Sequence, residues 1–202
     1  MIECSFIIPA YNEEDFIVGT VQAIHQSCDA SLEYEILVIN NQSTDQTANL
    51  AQANNARVID EEIRQISRVR TRGGQEAKGK YLIFIDADTQ INKAGLDETL
   101  LHLRSGQAVG GGAALVLDQH LRKGDKLVTT IWGAISKTFN LAAGAYIYCL
   151  KEAWEEVGGF DETFYAAEDV QFSRDIKKGG HKREMKFVVG KAAVVTSARK
   201  LQ

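Results

Sequence analysis

Short apolar runs closed by polar residues constrain this chain more than any other feature. Cys4 to Pro9 (CSFIIP), Glu35 to Ile39 (EILVI), Arg57 to Asp60 and Tyr81 to Ile85 (YLIFI) have strand length. Helical patterns fall between them. Apolar residues recur at Ile17, Val21, Ile24 and Cys28 after Glu13, which marks one face of a helix. Ser43 and Gln46 have the spacing of a capping box, and a helix is expected from there to about Asn54. Residues 62–79 read as helix interrupted at Gly73-Gly74, and residues 93–104 read as another. Strands and helices alternating over short connections give βαβ units. The expected fold is α/β, with a mostly parallel central sheet flanked by helices. Ligands of such sheets sit beyond the carboxyl ends of the strands. The sequence places Tyr11-Asn12-Glu13, Asn40-Asn41 and Asp86-Ala87-Asp88 there.

The second half is less regular. Gly110-Gly111-Gly112 opens an apolar stretch to Leu117. Residues 121–141 suggest an amphipathic helix carrying Leu127, Ile131, Trp132, Ile135 and Phe139. Ala145 to Leu150 is strand-like, Gly158 to Asp161 is a turn, and a polar helix runs from about Glu168 to Lys178. No repeat and no second boundary interrupts residues 1–202, so one domain is expected, its second half extending the same sheet. A single proline among 202 residues and 45% hydrophobic content fit a folded chain.

The net charge of -4 gives no basic footprint for nucleic acid. Basic residues cluster only locally, at Arg64, Arg68, Arg70 and Arg72 and at Arg122, Lys123 and Lys126. Cys4, Cys28 and Cys149 make no paired metal spacing and fit a reducing compartment. Met1 to Cys4 does not begin a signal peptide, and no apolar run approaches the ~20 residues of a membrane span. A cytoplasmic location is the expectation, with peripheral membrane contact left open.

Asp86 and Asp88 carry the central chemical signal. Two carboxylates one residue apart, after a buried strand, can hold Mg²⁺ or Mn²⁺ while substrate phosphate oxygens complete the shell. The competing local reading is that Asp88 caps a helix after Thr89. Glu168-Asp169 is the second acidic pair, and two acids are also favoured at any helix N-terminus.

Order separates these readings. SFIIPAYNEE, VINNQSTDQT, YLIFIDADT and GGFDETFYAAEDVQFSRDIKKGG follow one another along the chain. In this the sequence resembles the family-2 glycosyltransferases, inverting and non-processive, with the GT-A fold. The resemblance covers nearly the whole chain. It implies a nucleotide-sugar-binding half over residues 1–105 and an acceptor-side half over 106–202. It places Pro9, Tyr11, Asn12 and Glu13 against the nucleoside, with Tyr11 on the base and Glu13 near the ribose. The local alternative has Asn12 and Glu13 capping the next helix.

Relatives are usually acidic where this chain has Asn40 and Asn41. An amide can still read a base edge, so Asn40 is the candidate base reader and a UDP-sugar the first-choice donor. Asp45 is expected to stabilise a helix start. Asp86 and Asp88 become the metal and donor ligands. One of Arg70 and Arg72 is expected to neutralise the diphosphate, since guanidinium matches phosphate geometry. Asp169 becomes the general base that takes the acceptor hydroxyl proton, and Glu168 supports it.

Trp132 and Trp154 read as core or cleft-wall aromatics, and His181 as a surface-loop residue. TSARK resembles a late segment that relatives follow with a further tail. The implied partners are a nucleotide-sugar donor and a saccharide or lipid-linked acceptor, with hexosyl transfer. Three rivals remain. An oxidoreductase lacks its G-x-G-x-x-G after the first strand. A nucleotidyltransferase would need a glycine- and lysine-rich first loop in place of PAYNEE. A non-catalytic nucleotide-sugar-binding module is kept open by Asn40-Asn41.

Overall fold

In the computed structural model the four apolar runs form strands β1 (Cys4–Ala10), β2 (Tyr34–Asn40), β3 (Arg57–Asp60) and β4 (Tyr81–Ile85). Residues 1–117, 144–164, 167–197 and 199 are described. The helix expected over residues 121–141, with Trp132, and the basic group at Arg122, Lys123 and Lys126 lie outside them. Every residue of β1 and β4 is buried. Strands covered on both faces read as continuous apolar runs rather than alternating ones. β1 is the centre of the parallel half: Phe6 lies between Ile36 of β2 and Ile83 of β4.

The second half extends the same sheet, as expected. β5 (Thr89–Gln90), β6 (Ala108–Leu117), β7 (Tyr146–Leu150) and β8 (Lys186–Thr196) complete the strand order β3-β2-β1-β4-β7-β6-β8-β5. Six of these eight strands run one way. Only β7 and β5 oppose their neighbours. β5 and β8 were not anticipated. Their pairing sets Thr89 beside Thr196 and brings the end of β8 up to the loop after β4.

The helices are α1 (Ile17–Ser27), α2 (Thr47–Ala53), α3 (Ile66–Glu76), α4 (Lys93–Arg104), α5 (Lys151–Val157) and α6 (Glu168–Lys182). Among the described residues no helix is long and apolar enough to cross a membrane. Several local readings need correction. α2 begins at Thr47 rather than through a Ser43–Gln46 box. Asp45 Oδ1 accepts from the Thr47 backbone N–H at 2.9 Å, and the Ser43 hydroxyl accepts from the Asn12 N–H instead. α1 begins at Ile17 behind Phe16, with no side-chain cap, so neither Asn12 nor Glu13 caps it. α4 is capped by Asn92, whose Oδ1 accepts from the Gly95 N–H, and not by Asp88. His181 lies in the last turn of α6 and is exposed there, rather than in a loop.

α3 is unbroken, against the expected interruption at Gly73-Gly74. Tertiary contact explains both glycines. A Cβ on Gly73 would stand 2.3 Å from Ile7 Cγ2, and one on Gly74 would stand 2.4 Å from the Trp154 ring. The missing side chains let α3 press onto β1 and α5. The helix-propensity gain of Gly→Ala is about 1 kcal/mol, and overpacking costs about 1–3 kcal/mol. Gly73→Ala is therefore expected to destabilise the protein, because Ile7 Cγ2 is a methyl on a branched, fully buried side chain. Urea unfolding should show a lower midpoint with an unchanged slope.

Candidate functional site

The site is built at the carboxyl ends of β1, β2 and β4, where three loops meet. The loops after β1 and β2 are stitched together. Asn12 Oδ1 accepts from the Thr44 N–H at 2.8 Å, the Glu13 N–H donates to Thr47 Oγ1 at 2.7 Å, and the Gln46 N–H donates to Glu14 Oε2 at 3.0 Å. The Glu14 N–H returns a bond to Asp45 Oδ2. Asn12 sits at φ 53°, in the left-handed region that asparagine tolerates. Its side chain is thus committed to holding the loops.

A cavity of about 340 Å³ opens beside these loops. Pro9, Tyr11, Glu13, Asn41, Arg64 and Asp86 are among its lining residues. The Arg64 guanidinium lies 4.4 Å over the half-exposed Tyr11 ring. Asn40 is turned away from this space. Its Nδ2 donates to Asp60 Oδ1 at 2.8 Å, and its Oδ1 accepts from the Ser43 N–H. Asn41 is the amide on the cavity wall, held by bonds from its Nδ2 to the Glu61 and Ile63 carbonyls. The sequence reading named Asn40 as the base reader; of the two amides it is Asn41 that lines this cavity.

The loop after β4 presents the two aspartates. The Thr20 hydroxyl pins it by donating to the Ala87 carbonyl at 2.6 Å, and the Ser197 N–H donates to the Asp88 carbonyl. Each carboxylate meets a guanidinium. Arg70 Nη2 donates to Asp86 Oδ1 at 2.9 Å, and Arg199 Nε donates to Asp88 Oδ2 at 2.9 Å. Arg199 also pairs with Glu13 through Nη2 and lies over the Phe16 ring. Burial works against its charge, but Glu13 and Asp88 outweigh that, and its pKa lies above the ordinary arginine value.

Arg70 and Arg72 part company. Successive helical residues turn by about 100°, so these two point to different sides of α3. The Arg70 side chain is 4% exposed and reaches Asp86 and Glu168. The Arg72 side chain is 43% exposed and pairs with Glu76. Glu76 in turn meets Arg57 at the start of β3, and Arg57 meets Glu35 near the start of β2. That cluster stands at the amino end of the sheet, so Arg72 is removed from the site.

The second acidic pair arrives on α6. Gly158 and Gly159 have φ of 81° and 84°, a conformation open to glycine. Their turn sets the Phe160 N–H on Thr71 Oγ1. Phe160 then stacks on Phe172 of α6, with ring centroids 4.0 Å apart, and meets Phe84 of β4 edge-on. This aromatic seat brings the first turn of α6 to the end of β4. Glu168 accepts from Arg70 Nη1 at 2.6 Å. Burial raises its pKa; the Arg70 charge opposes this, and Asp169 and Asp86 add to it. Asp169 Oδ2 accepts from the Gly144 N–H at 2.7 Å, and Arg70 Nη2 donates to the Gly144 carbonyl at 2.9 Å.

The structure thus gathers Pro9, Tyr11, Glu13, Asp86, Asp88, Arg70, Glu168 and Asp169 around one end of the sheet. Sequence reasoning missed Gly144, which carries no motif of its own, and it named Arg64 only within a basic cluster and Asn41 only beside Asn40, without a role for either. It noted TSARK without assigning Arg199 a place. Among the described residues no three His, Cys, Asp or Glu side chains gather as a metal-binding group. Two aspartates remain, hard oxygen donors of the kind Mg²⁺ and Mn²⁺ take alongside phosphate oxygens and water.

A family model described as "Glycosyl transferase family 2" matches residues 5–139. Poly(ribitol-phosphate) beta-N-acetylglucosaminyltransferase TarS of Staphylococcus aureus is 26% identical over 108 residues, 48% of this chain and 18% of TarS. Glycosyltransferase AglE of Haloferax volcanii is 26% identical over 196 residues, 88% of this chain and 62% of AglE. The chain therefore spans less than two thirds of either relative. TarS 1-349 superposes with TM-scores of 0.73–0.75 in three structures, among them one in complex with UDP-GlcNAc. In that complex the score is 0.75 at 18% identity, covering 98% of this chain and 59% of the other. Mannosyltransferase PcManGT from Pyrobaculum calidifontis, in complex with GDP-Man and Mn²⁺, gives 0.71 at 18% identity, covering 96% and 56%.

Removing the two arginines should have unequal consequences for stability. Arg70→Ala takes the guanidinium from the buried Glu168 and the partly buried Asp86 and is expected to cost about 3–5 kcal/mol. Arg72→Ala breaks only a solvent-exposed pair and should cost about 1 kcal/mol or less. Urea denaturation of both variants checks the contrast.

Proposed function

The chain belongs to glycosyl transferase family 2 and shares the GT-A fold, and from that premise we propose that it transfers a sugar from a nucleoside-diphosphate donor to an acceptor hydroxyl. One observation carries the reading. Arg70 holds Asp86 of the β4 loop and Glu168 of α6 on a single guanidinium. The donor-side and acceptor-side acids therefore face one reaction space.

The nucleoside occupies the cavity lined by Pro9, Tyr11 and Asn41. Tyr11 and Arg64 offer flat faces to the base, and Asn41 offers an amide on the cavity wall. A UDP-sugar is the proposed donor, as TarS was solved with UDP-GlcNAc. Asp86 and Asp88 would hold Mg²⁺ or Mn²⁺, whose charge would neutralise the leaving diphosphate. Arg199, paired with Asp88 and Glu13, stands where it can meet that diphosphate. Asp169 takes the proton from the acceptor hydroxyl. The acceptor oxygen then bonds to the anomeric carbon as the carbon–oxygen bond to the diphosphate breaks, with inversion. Glu168, committed to Arg70, anchors the helix start beside the base.

A covalent route through sulfur is disfavoured by the thiols. Burial pushes Cys4 and Cys28 up to about 12 and raises Cys149 further, so none supplies a thiolate. The acceptor is a saccharide or lipid-linked acceptor that presents a hydroxyl, as the ribitol units of the polymer in the TarS name do.

UDP release from UDP-sugars is the first assay, and ¹H NMR of the product reports the anomeric configuration. Asp169→Asn should lose about 10²–10⁴-fold in kcat while still binding UDP; near-normal turnover would remove it from the base role. Retained configuration would reject the single displacement. Calorimetry of UDP with and without EDTA tests the metal. Affinity should fall on chelation and should become metal-independent in Asp88→Ala. Tighter binding of GDP than UDP would overturn the choice of donor.

A further inference from the structure

We propose that Arg70 is a positioning residue that sets the general base through the peptide groups of Gly144. It is then not itself a ligand of the donor diphosphate. This rests on the reading of Asp169 as the base.

The guanidinium has distinct partners from three separate segments. Nη1 donates to Glu168 at 2.6 Å, and Nη2 donates to both Asp86 and the Gly144 carbonyl at 2.9 Å. Its side chain is 4% exposed, so bulk water does not share these bonds. Gly144 passes the constraint on. Its carbonyl is held by Arg70, and its N–H donates to Asp169 Oδ2 at 2.7 Å. Asp169 is thus fixed twice. Its backbone follows Glu168, which Arg70 grips directly, and its carboxylate follows Gly144, which Arg70 grips through the carbonyl.

The same guanidinium fixes Asp86 on the donor side. The spacing between donor and base is therefore governed by the planar fork of one side chain. Lysine cannot reproduce that fork, because an ammonium is a point donor on a flexible stem. Gly144 is as constrained as Arg70. An added Cβ would stand 2.9 Å from Asp169 Oδ2 and 3.0 Å from Arg70 Nη2. Glycine is needed there because two bonded side chains fill the space a side chain would take.

Arg70→Lys and Gly144→Ala test the chain of contacts from its two ends. Thermal unfolding first confirms that both are folded. Exchange of the Gly144 amide proton, read by NMR on ¹⁵N-glycine-labelled protein, needs neither donor nor turnover. It should quicken at least about tenfold in Arg70→Lys. UDP affinity measured in EDTA, where Asp86 holds no metal, should stay within about threefold of the parent in both variants. Turnover of UDP-N-acetylglucosamine should fall about 10²-fold in kcat, the scale of a misplaced catalytic group.

Unchanged Gly144 exchange in Arg70→Lys would overturn the proposal. So would a loss that falls on UDP affinity, which would make Arg70 a donor ligand. A parent that binds UDP but turns over no UDP-sugar would sink the proposed function. In that event the exchange measurement alone decides whether Arg70 orders Gly144.

Discussion

A buried guanidinium between two carboxylates fixes how this fold comes together. Arg70, Asp86 and Glu168 would each be costly to bury alone, at several kcal/mol per ion. Together they satisfy one another, and they can do so only if α3, the β4 loop and the start of α6 converge. The packing around them serves that convergence. Gly73 and Gly74 bring α3 down onto Ile7, Ile39 and Trp154. Phe84, Phe160 and Phe172 seat α6 against β4. The apolar contacts supply the non-directional part of the stability, and the ion triad specifies which three ends meet.

The first half of the fold was legible because its signals are local. β1, β2 and β4 are buried on both faces and read as unbroken apolar runs, and α4 matched its expected span of residues 93–104. Errors arose where a long-range contact decided. Glycine weakens an isolated helix, yet α3 passes through Gly73-Gly74 because close packing outweighs propensity. β8, KFVVGKAAVVT, carries a glycine and two lysines that blur its pattern. Its Lys191 and Ala192 N–H groups are satisfied by the Glu98 carboxylate of α4, a partner 93 and 94 positions away.

The site shows the same division. Asp86-Ala87-Asp88 and Glu168-Asp169 could be placed from the order of motifs. Spacing alone could not choose between Arg70 and Arg72, because the choice depends on which side of α3 faces the cleft. Nor could it choose between Asn40 and Asn41, neighbours on an extended strand end whose side chains point in opposite directions. Arg199 reaches Asp88 because β5 pairs with the end of β8, a contact between residues more than a hundred positions apart.

The cross-bonded loops after β1 and β2 bear on how a ligand would be received. Asn12, Glu13, Glu14 and Asp45 tie the two loops through backbone N–H groups at both ends. Ordering a loop costs conformational entropy, and a loop ordered during folding does not incur that cost again at binding. A nucleoside entering beside Tyr11, as proposed, would meet walls already in place. Its association should resemble docking into a preformed slot, with little of the ordering that a floppy loop would demand. The intrinsic weakness of short loops is offset by the fold itself, and the binding free energy is left for discrimination between bases.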